Sequence, residues 1–374
     1  MRLYALKDTL EKALRMRDWR FSFIPVIFGL LYLFIQLGAG APDASTWLLL
    51  FASLLTSFGF ASFGYLLNEW TDISADAQAG KPNKLAHLTT LQRTGLMVVV
   101  VIIGGLPWFI LPTDQLSFQL IFLELCLFII YSLQPLRLKN FLGISNILDA
   151  GYAYVVPIYL AKHTFSLYFQ GSLSTRADIL LFSLLFCLGL RNILIHQIND
   201  LHHDQHIGQY TLPSILGLQR TNLLLWLHLG VELLLLLSLL WLNFQPWYNW
   251  GLSILVFGWI WISFKNEIFS RPLVNQNIVY HPLRHLFDPL YQLLLPLFFL
   301  SLLLLQHLLW WPLLLLHAWL FIPKAYLEIL FSKTRIALSY VVNYSIWFLF
   351  LLVGVNLKNR KQSALQYLKS ISKK

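Results

Sequence analysis

The sequence predicts an all-α integral membrane protein, and three observations carry that prediction. Of 374 residues, 57% are hydrophobic and only 12% are charged. That is about half the charged share of a soluble domain, too little polar surface to cover a fold of this size. Apolar runs recur along the chain, and some, such as 223–242 and 291–305, hold no Lys or Arg. As a helix, roughly 20 such residues cross a bilayer core of about 30 Å. The 27 basic residues behind a net charge of +10 fall mostly between and beyond these runs, which is a pattern of membrane topology rather than a nucleic-acid face. A soluble enzyme and a disordered chain are both excluded.

Taken in order, the elements begin with a basic N-terminus, residues 1–20, carrying Arg2, Lys7, Lys12, Arg15, Arg17 and Arg20. The apolar stretch 21–38 that follows is too long for the h-region of a cleaved signal and reads as a retained first span. Further spans lie near 47–67, 95–112, 116–133, 144–161, 177–195, 221–243, 248–264 and 287–309. Together they make a nine-helix bundle over residues 21–310. Trp310, Trp311, Pro312 and Pro323 frame an ambiguous stretch, 310–331, and a final span covers 336–356. One or two extra C-terminal membrane helices therefore occupy 311–357, ahead of a basic tail at 358–374. Cys126 and Cys187 both sit inside apolar segments, so no disulfide framework or cysteine metal site follows.

Orientation comes from the basic residues. With the N-terminus inside, fifteen of them, six in the N-terminus and nine in the loops, face the cytoplasm, against Lys162 and Arg176 outside. The tail, with Lys358, Arg360, Lys361, Lys369, Lys373 and Lys374, also prefers the inside and so demands an even number of crossings. Ten crossings result, with 310–331 not fully spanning. The expected place is the cell (inner) membrane, multi-pass, with N-terminus and active-site loops cytoplasmic. Of two polar insertions, 165–176 faces outward, and 270–284 faces inward, where it is positioned to cover a site mouth.

Five of only 17 acidic residues, Glu69, Asp72, Asp76, Asp200 and Asp204, sit in two short segments at the cytoplasmic ends of the second and sixth spans. Asn68, Asp72 and Asp76 are four apart, as are His196, Asp200 and Asp204, and a glycine follows four residues after each last acid, Gly80 and Gly208. On a continued helix each set stacks on one face. Like charges at that spacing cost a few tenths of a kcal/mol unless a cation offsets them. Two facing stacks suit Mg²⁺, which takes few carboxylates, several waters and phosphate oxygens, and the expected ligand is a diphosphate bridged through metal. Lys81, Lys84, Arg137 and Lys139 are placed to contact its oxygens. Arg191 either points at the diphosphate or snorkels to the interface.

Among the remaining polar residues, His196, His202, His203 and His206 cluster within eleven positions, but no H-E-x-x-H pattern accompanies them, which disfavours catalytic zinc. Glu124, Asp149 and Glu232 fall within or near apolar spans, where ionisable groups face a cavity or a partner. Asp149 is the candidate acceptor contact or base, against a plain helix-packing hydrogen bond.

These segments resemble the UbiA-type intramembrane prenyltransferase superfamily. Asn68, Glu69, Asp72 and Asp76, followed by Gly80-Lys81-Pro82-Asn83-Lys84, are similar to its first aspartate-rich motif and the K-P-N-R continuation. Asp200 and Asp204, followed by Gly208 and Thr211-Leu212-Pro213, resemble the second motif and its tail, and Tyr131-Ser132-Leu133-Gln134-Pro135-Leu136-Arg137-Leu138-Lys139 resembles the Y-S-x-P-P-x-R-L-K signature. The departures are His202 for a third acid, Gln209 and Tyr210 for a basic pair, Gln134 for proline, and Lys84 for arginine, which gives up a bidentate phosphate contact.

The resemblance implies a UbiA-like bundle that binds a polyprenyl diphosphate through two Mg²⁺. Asn68, Asp72 and Asp76 would hold one ion and Asp200 and Asp204 the other, with the four aspartates as catalytic residues. Lys81, Lys84, Arg137, Lys139 and Arg191 would bind diphosphate. Asp149, Tyr131, His196, Asn199 and His202 would contact the acceptor or support the ligands. The expected reaction is Mg²⁺-dependent transfer of a polyprenyl group from an allylic diphosphate to a polar small-molecule acceptor, which is aromatic, a quinone precursor or a sugar phosphate. The partners are thus these two substrates and membrane lipid, without nucleic acid. The alternatives are a relative that ionises or cyclises a prenyl diphosphate, a non-catalytic lipid binder, and a cation-coupled transporter. Transport sites favour broken helices at mid-membrane, whereas these acids lie at one face.

Overall fold

A computed structural model describes residues 14, 23–38, 41–78, 80–169, 174–206, 208, 210–243, 246–265 and 288–322. Most of the N-terminus, the inward insertion at 270–284, the span at 336–356 and the basic tail lie outside the described residues. The chain divides into two units, Met1–Phe321 and Ile322–Lys374; the first holds every helix below.

Those helices are α1 (Phe23–Gly38), α2 (Ala44–Gln78), α3 (Thr90–Gly105), α4 (Gln115–Ser132), α5 (Ile144–Ala150), α6 (Val156–Phe169), α7 (Thr175–His206), α8 (Leu212–Leu216), α9 (Leu218–Asn243), α10 (Pro246–Lys265), α11 (Leu295–Gln306) and α12 (Trp311–Phe321). No strand occurs among the described residues. Among the described residues five stretches are long and apolar enough to cross a membrane: Ala44–Gln78, Thr90–Phe109, Gln115–Ser132, Thr175–Leu201 and Leu218–Leu242. The all-α membrane fold expected from the sequence is the fold observed.

The first apolar stretch becomes the centre of the bundle. In α1 nearly every residue from Ile24 to Ile35 is buried, as expected for a helix that is apolar all round. It packs on α6 and α11. Helices α3, α4 and α9 instead turn large apolar side chains outward, among them Val98, Ile102, Phe118, Phe122, Leu227 and Leu234. Lipid tails are as apolar as these side chains, so helices here associate by close packing rather than by hiding grease from water. The α2–α3 contact illustrates it: a Cβ added at Gly59 would lie 2.3 Å from the Gly104 backbone nitrogen. The α3 backbone leaves no room for a side chain at Gly59, and a Cβ at Gly104 would meet the Phe60 ring at 2.7 Å.

Among the described residues two helices carry a π turn. Gly151–Val155 joins α5 to α6, and Leu290–Leu294 precedes α11. In each case proline follows two residues after the turn, Pro157 and Pro296. Proline removes one helical donor and its ring pushes away the carbonyl four residues earlier, which widens that turn.

The ambiguous stretch after residue 310 is described as far as its first turns. Leu308–Phe321 is a short apolar helical piece, about 21 Å long and shorter than the bilayer core. It docks on α1, with the Tyr32 hydroxyl 2.9 Å from His317 Nδ1 and the Phe28 and Phe321 ring centroids 5.0 Å apart.

Length is what positions the site. At 35 residues α2 is about 52 Å long, and at 32 residues α7 is about 48 Å. Both exceed a bilayer core of about 30 Å, so each carries several turns beyond its apolar stretch. Asn68–Asp76 and His196–Asp204 stand on those extra turns.

Candidate active site

The helix continues through both acidic segments, so Asn68, Asp72 and Asp76 share one face of α2, and His196, Asp200 and Asp204 one face of α7. Each helix then stops at the glycine four residues on. Gly80 has φ +66° and Gly208 φ +68°, the left-handed region where a side chain is disfavoured. After α2 the reversal is tied back by the Lys81 amide, which donates to the Asp76 carbonyl at 2.8 Å.

The cations that meet the first segment come from a distant loop. Arg137 Nη2 donates to Asp72 Oδ1 at 2.8 Å, and Lys139 Nζ donates to the same oxygen at 2.5 Å and to Asn68 Oδ1 at 2.8 Å. Arg137 is the one non-glycine residue with positive φ among the described residues, at +35°. Such a conformation costs free energy and persists where the surroundings enforce it. It closes a turn, with the Arg137 amide donating to the Leu133 carbonyl at 2.7 Å, and leads into the 3₁₀ turn Leu138–Asn140. Both side chains thereby reach the same carboxylate. The peptide bond Gln134–Pro135 in this loop is cis. Burial lowers the Lys139 ammonium from the ordinary lysine value, with Asp72 opposing.

Asn83 is a functional candidate the sequence reading did not single out. Its Nδ2 donates to Asp76 Oδ2 and to the Glu69 carbonyl, both at 2.8 Å, while its Oδ1 accepts from the Leu85 amide at 2.9 Å. The signal was present in the Gly80-Lys81-Pro82-Asn83 run, since asparagine just after a Gly and Pro turn readily bonds nearby backbone. The Lys84 amide donates to Glu69 Oε2 at 3.3 Å. Neither the Lys81 nor the Lys84 side chain provides the Asp72 contact, although both are nearer in sequence.

In the second segment Asp200 pairs within its own helix, with His196 Nε2 3.6 Å from Asp200 Oδ2. Asp204 is buried and Asn199 exposed. His202 lies on α7, but its side chain, like Gln209, is outside the described residues; Tyr210 is exposed. One turn before these acids, Gln197 joins α7 to α5: its Nε2 donates to Asn146 Oδ1 at 2.9 Å and its Oε1 accepts from Asn146 Nδ2 at 3.4 Å. Segment 133–146 therefore reaches both motif helices, α2 through Arg137 and Lys139 and α7 through Asn146.

Other predicted residues fall elsewhere. Asp149 accepts a hydrogen bond from the Tyr152 hydroxyl, and the Tyr152 ring lies against Tyr131 with centroids 5.2 Å apart. Arg191 is buried, 1% exposed, with Nε 2.9 Å from Glu232 Oε2 and Nη1 3.4 Å from Asp288 Oδ1. It is thus engaged inside the bundle by carboxylates of α9 and of the turn before α11.

Whether a divalent cation suits this arrangement depends on the donors. No group of three or more His, Cys, Asp or Glu side chains gathers among the described residues; the oxygens on the stacked face of the first segment are two carboxylates and an amide. One point near them is already held by a cation: the Lys139 ammonium is within hydrogen-bond distance of both Asn68 and Asp72. That oxygen set accordingly fits positive charge. An anion fits beside it, because Arg137 Nε is buried without a hydrogen-bond partner, a donor left over after Nη2 has engaged Asp72.

Comparison with known proteins bears on the family and the fold. The model of the UbiA prenyltransferase family matches residues 22–272. A UbiA homolog from Archaeoglobus fulgidus bound to GPP and Mg²⁺ is similar at 14% identity and TM-score 0.57, covering 79% of this chain and 99% of its own. The same homolog bound to DMAPP and Mg²⁺ gives 14% identity and TM-score 0.56, covering 78% and 98%, and bound to Cd²⁺ gives 16% identity and TM-score 0.55, covering 79% and 99%. At such identities the likeness is one of fold. No curated protein matches the sequence.

Proposed function

The chain belongs to the UbiA prenyltransferase family, and from that premise we propose that it transfers a prenyl group from an allylic diphosphate to a polar small-molecule acceptor within the membrane, with Mg²⁺. The observation that carries this reading is the convergence of Arg137 and Lys139 on Asp72, which puts anion-binding and cation-binding groups at one point. The Archaeoglobus fulgidus homolog, bound to Mg²⁺ with DMAPP or GPP, supports it.

In this reading Asn68, Asp72 and Asp76 hold one Mg²⁺ and Asp200 and Asp204 another. Bound metal neutralises charge developing on the leaving diphosphate. The chain's own residues do the rest. Asn83 fixes the Asp76 carboxylate and leaves its second oxygen for a ligand. Arg137 offers its spare Nε–H to a phosphate oxygen, a charge-assisted bond, while Lys139 adds a positive charge that moves between Asp72 and the diphosphate. Lys81 and Lys84, both exposed, supply longer-range attraction. The rings of Tyr131 and Tyr152 present faces that stabilise an allylic cation, and the apolar bundle keeps water from it. Asp149, held by Tyr152, takes the role of acceptor contact or base. Arg191 acts at a distance by fixing α7 to α9. The acceptor is an aromatic compound, a quinone precursor or a sugar phosphate. The family is a membrane family; the placement in the inner membrane with these segments cytoplasmic rests on the distribution of basic residues.

The test is Mg²⁺-dependent pyrophosphate release by the purified full chain, from allylic diphosphates of several lengths with a mixed acceptor panel. Release that disappears in Asp72→Ala and Asp200→Ala, and that requires one acceptor pool, is the expected result. Release that persists in both variants, or that needs no acceptor, overturns the assignment.

A further inference from the structure

About 24 Å along α2 from Asp72, residues of α2, the turn after α3, α4 and α6 line a second polar feature. Glu124 is the tenth residue of the eighteen in α4, about 12–14 Å from the two ends. It is 3% exposed, and its Oε2 is buried with no hydrogen-bond partner. It lines a cavity of about 30 Å³ together with Ser53, Thr56 and Ser57 of α2, Trp108 after α3, and Thr164 of α6. Trp108 Nε1 is likewise buried and without a partner. Ionisable groups at mid-membrane depth are costly and mark binding sites or ion pathways.

Size and chemistry narrow the occupant. The space admits one or two waters or a bare ion. The hydroxyl of Thr56 donates to the Gly104 carbonyl at 3.2 Å, and that of Thr164 to the Leu160 carbonyl at 2.8 Å. Their hydrogens are committed, so both oxygens face other groups as acceptors. Phe60, Leu111, Pro157, Leu160 and Ala161 make the rest of the lining apolar, so its donors are the carboxylate and the hydroxyls, hard oxygens of the kind that bind alkali and alkaline-earth cations rather than soft metals. Trp108 Nε1 is the one fixed donor named, suited to a carboxylate oxygen or to a water beside an ion. An anion is excluded by the carboxylate. A divalent ion would leave an uncancelled positive charge in a low-dielectric interior, whereas a monovalent one is neutralised by Glu124 alone.

We propose that Glu124, with Thr56, Thr164 and Ser53, forms a binding site for a dehydrated monovalent cation, Na⁺ or K⁺, between α2, α4 and α6. It is separate from the proposed diphosphate chemistry and does not depend on it. By joining three helices it makes the stability of the bundle depend on the alkali ion.

Thermal unfolding of the purified full chain is compared in NaCl, KCl and N-methylglucamine chloride at equal ionic strength, alongside equilibrium binding of radiosodium, or of radiorubidium in place of K⁺. A midpoint higher by a few degrees in one alkali salt than in the organic salt, with saturable binding of one ion per chain, is expected and identifies the ion. Glu124→Gln keeps the shape of the side chain and removes its charge. It abolishes the salt difference. Thr164→Val, or Ser53→Ala if that variant fails to fold, weakens ion binding without abolishing the fold. Equal midpoints of the wild type in all three salts, or a salt difference retained in Glu124→Gln, means that the cavity holds water only and overturns the proposal.

Discussion

The two acidic segments have the same spacing and stand on the same kind of over-long helix, yet they are supported differently. Around Asp72 the partners come from far away in sequence: Arg137 and Lys139 are 65 and 67 residues on, and Asn83 clamps Asp76. Asp200 is met by His196 on its own helix, at 3.6 Å and with both side chains at least one-third exposed. A water-exposed pair of that kind contributes little to stability. The first segment is therefore a piece of tertiary structure as well as a binding surface, while Asp200 is held chiefly by its own helix. Spacing alone makes the two equivalent; the cross-chain contacts separate them.

The sharpest way to break this comparison is to remove one carboxylate from each side. Asp72→Ala and Asp200→Ala should both lower pyrophosphate release by about 10³-fold, the scale of losing electrostatic stabilisation of a leaving group. Only Asp72→Ala should also lower fold stability, by about 1–3 kcal/mol, since it strands two cations that had charge-assisted bonds. Equal losses of thermal midpoint in the two variants would erase the asymmetry. Next in size, Lys139→Met should cost about 10²-fold in kcat/KM while raising Mg²⁺ affinity, because the competing ammonium is gone; a fall in that affinity would contradict the ammonium's place among the Asn68 and Asp72 oxygens. Asn83→Ala frees Asp76 and should reduce kcat/KM by about 10-fold, a loss of positioning that added Mg²⁺ partly rescues.

On the second side, the test is the amide pair of Gln197 and Asn146. Gln197→Leu should destabilise by about 1 kcal/mol, and a double-mutant cycle with Asn146→Leu should show the two losses to be non-additive. Additive losses would mean that α5 and α7 are not joined through this pair. The smallest effect is expected at the other end of the bundle, where Asp114 accepts from His163 and caps α4. The side-chain bond to His163 holds the Asp114 carboxyl down to about 2. A depressed carboxyl stabilises above its unfolded value and loses that contribution as pH falls through the folded one. Asp114→Asn should therefore lower the midpoint slightly at neutral pH, with the gap to wild type closing in acid and prenyl transfer unchanged throughout. A gap that widens in acid would reverse the assignment.

Much of the architecture was legible because membrane spans are written in composition. The run at 116–133 became Gln115–Ser132 and the run at 221–243 became Leu218–Asn243. The stacking of Asn68, Asp72 and Asp76 followed from the same periodicity. Pairing was not legible. Lys81 and Lys84 lie within twelve residues of Asp72, but the contact goes to Arg137 and Lys139, and that outcome depends on the left-handed backbone at Arg137, which nothing in a single arginine announces. Arg191 was open between diphosphate and interface. Its partners, Glu232 and Asp288, are 41 and 97 residues away, beyond the reach of any local pattern. Glu124 stood out only as a charge in an apolar run; that it shares a cavity with hydroxyls whose hydrogens are engaged elsewhere required the packing of two other helices.

The length of α2 has a consequence for how this protein can change. From Ala44 to Gln78 the helix is uninterrupted, so the contact at Gly59 and the carboxylates of Asp72 and Asp76 ride on one shaft. Adding a single residue between them would turn the carboxylates by about 100° and shift them by about 1.5 Å relative to the seam with α3, carrying them away from Arg137 and Lys139. Substitutions along this stretch act one at a time, but an insertion or deletion misaligns every group downstream together. Changes of length are thus expected to be tolerated in the loops and not between seam and site, which move as one unit.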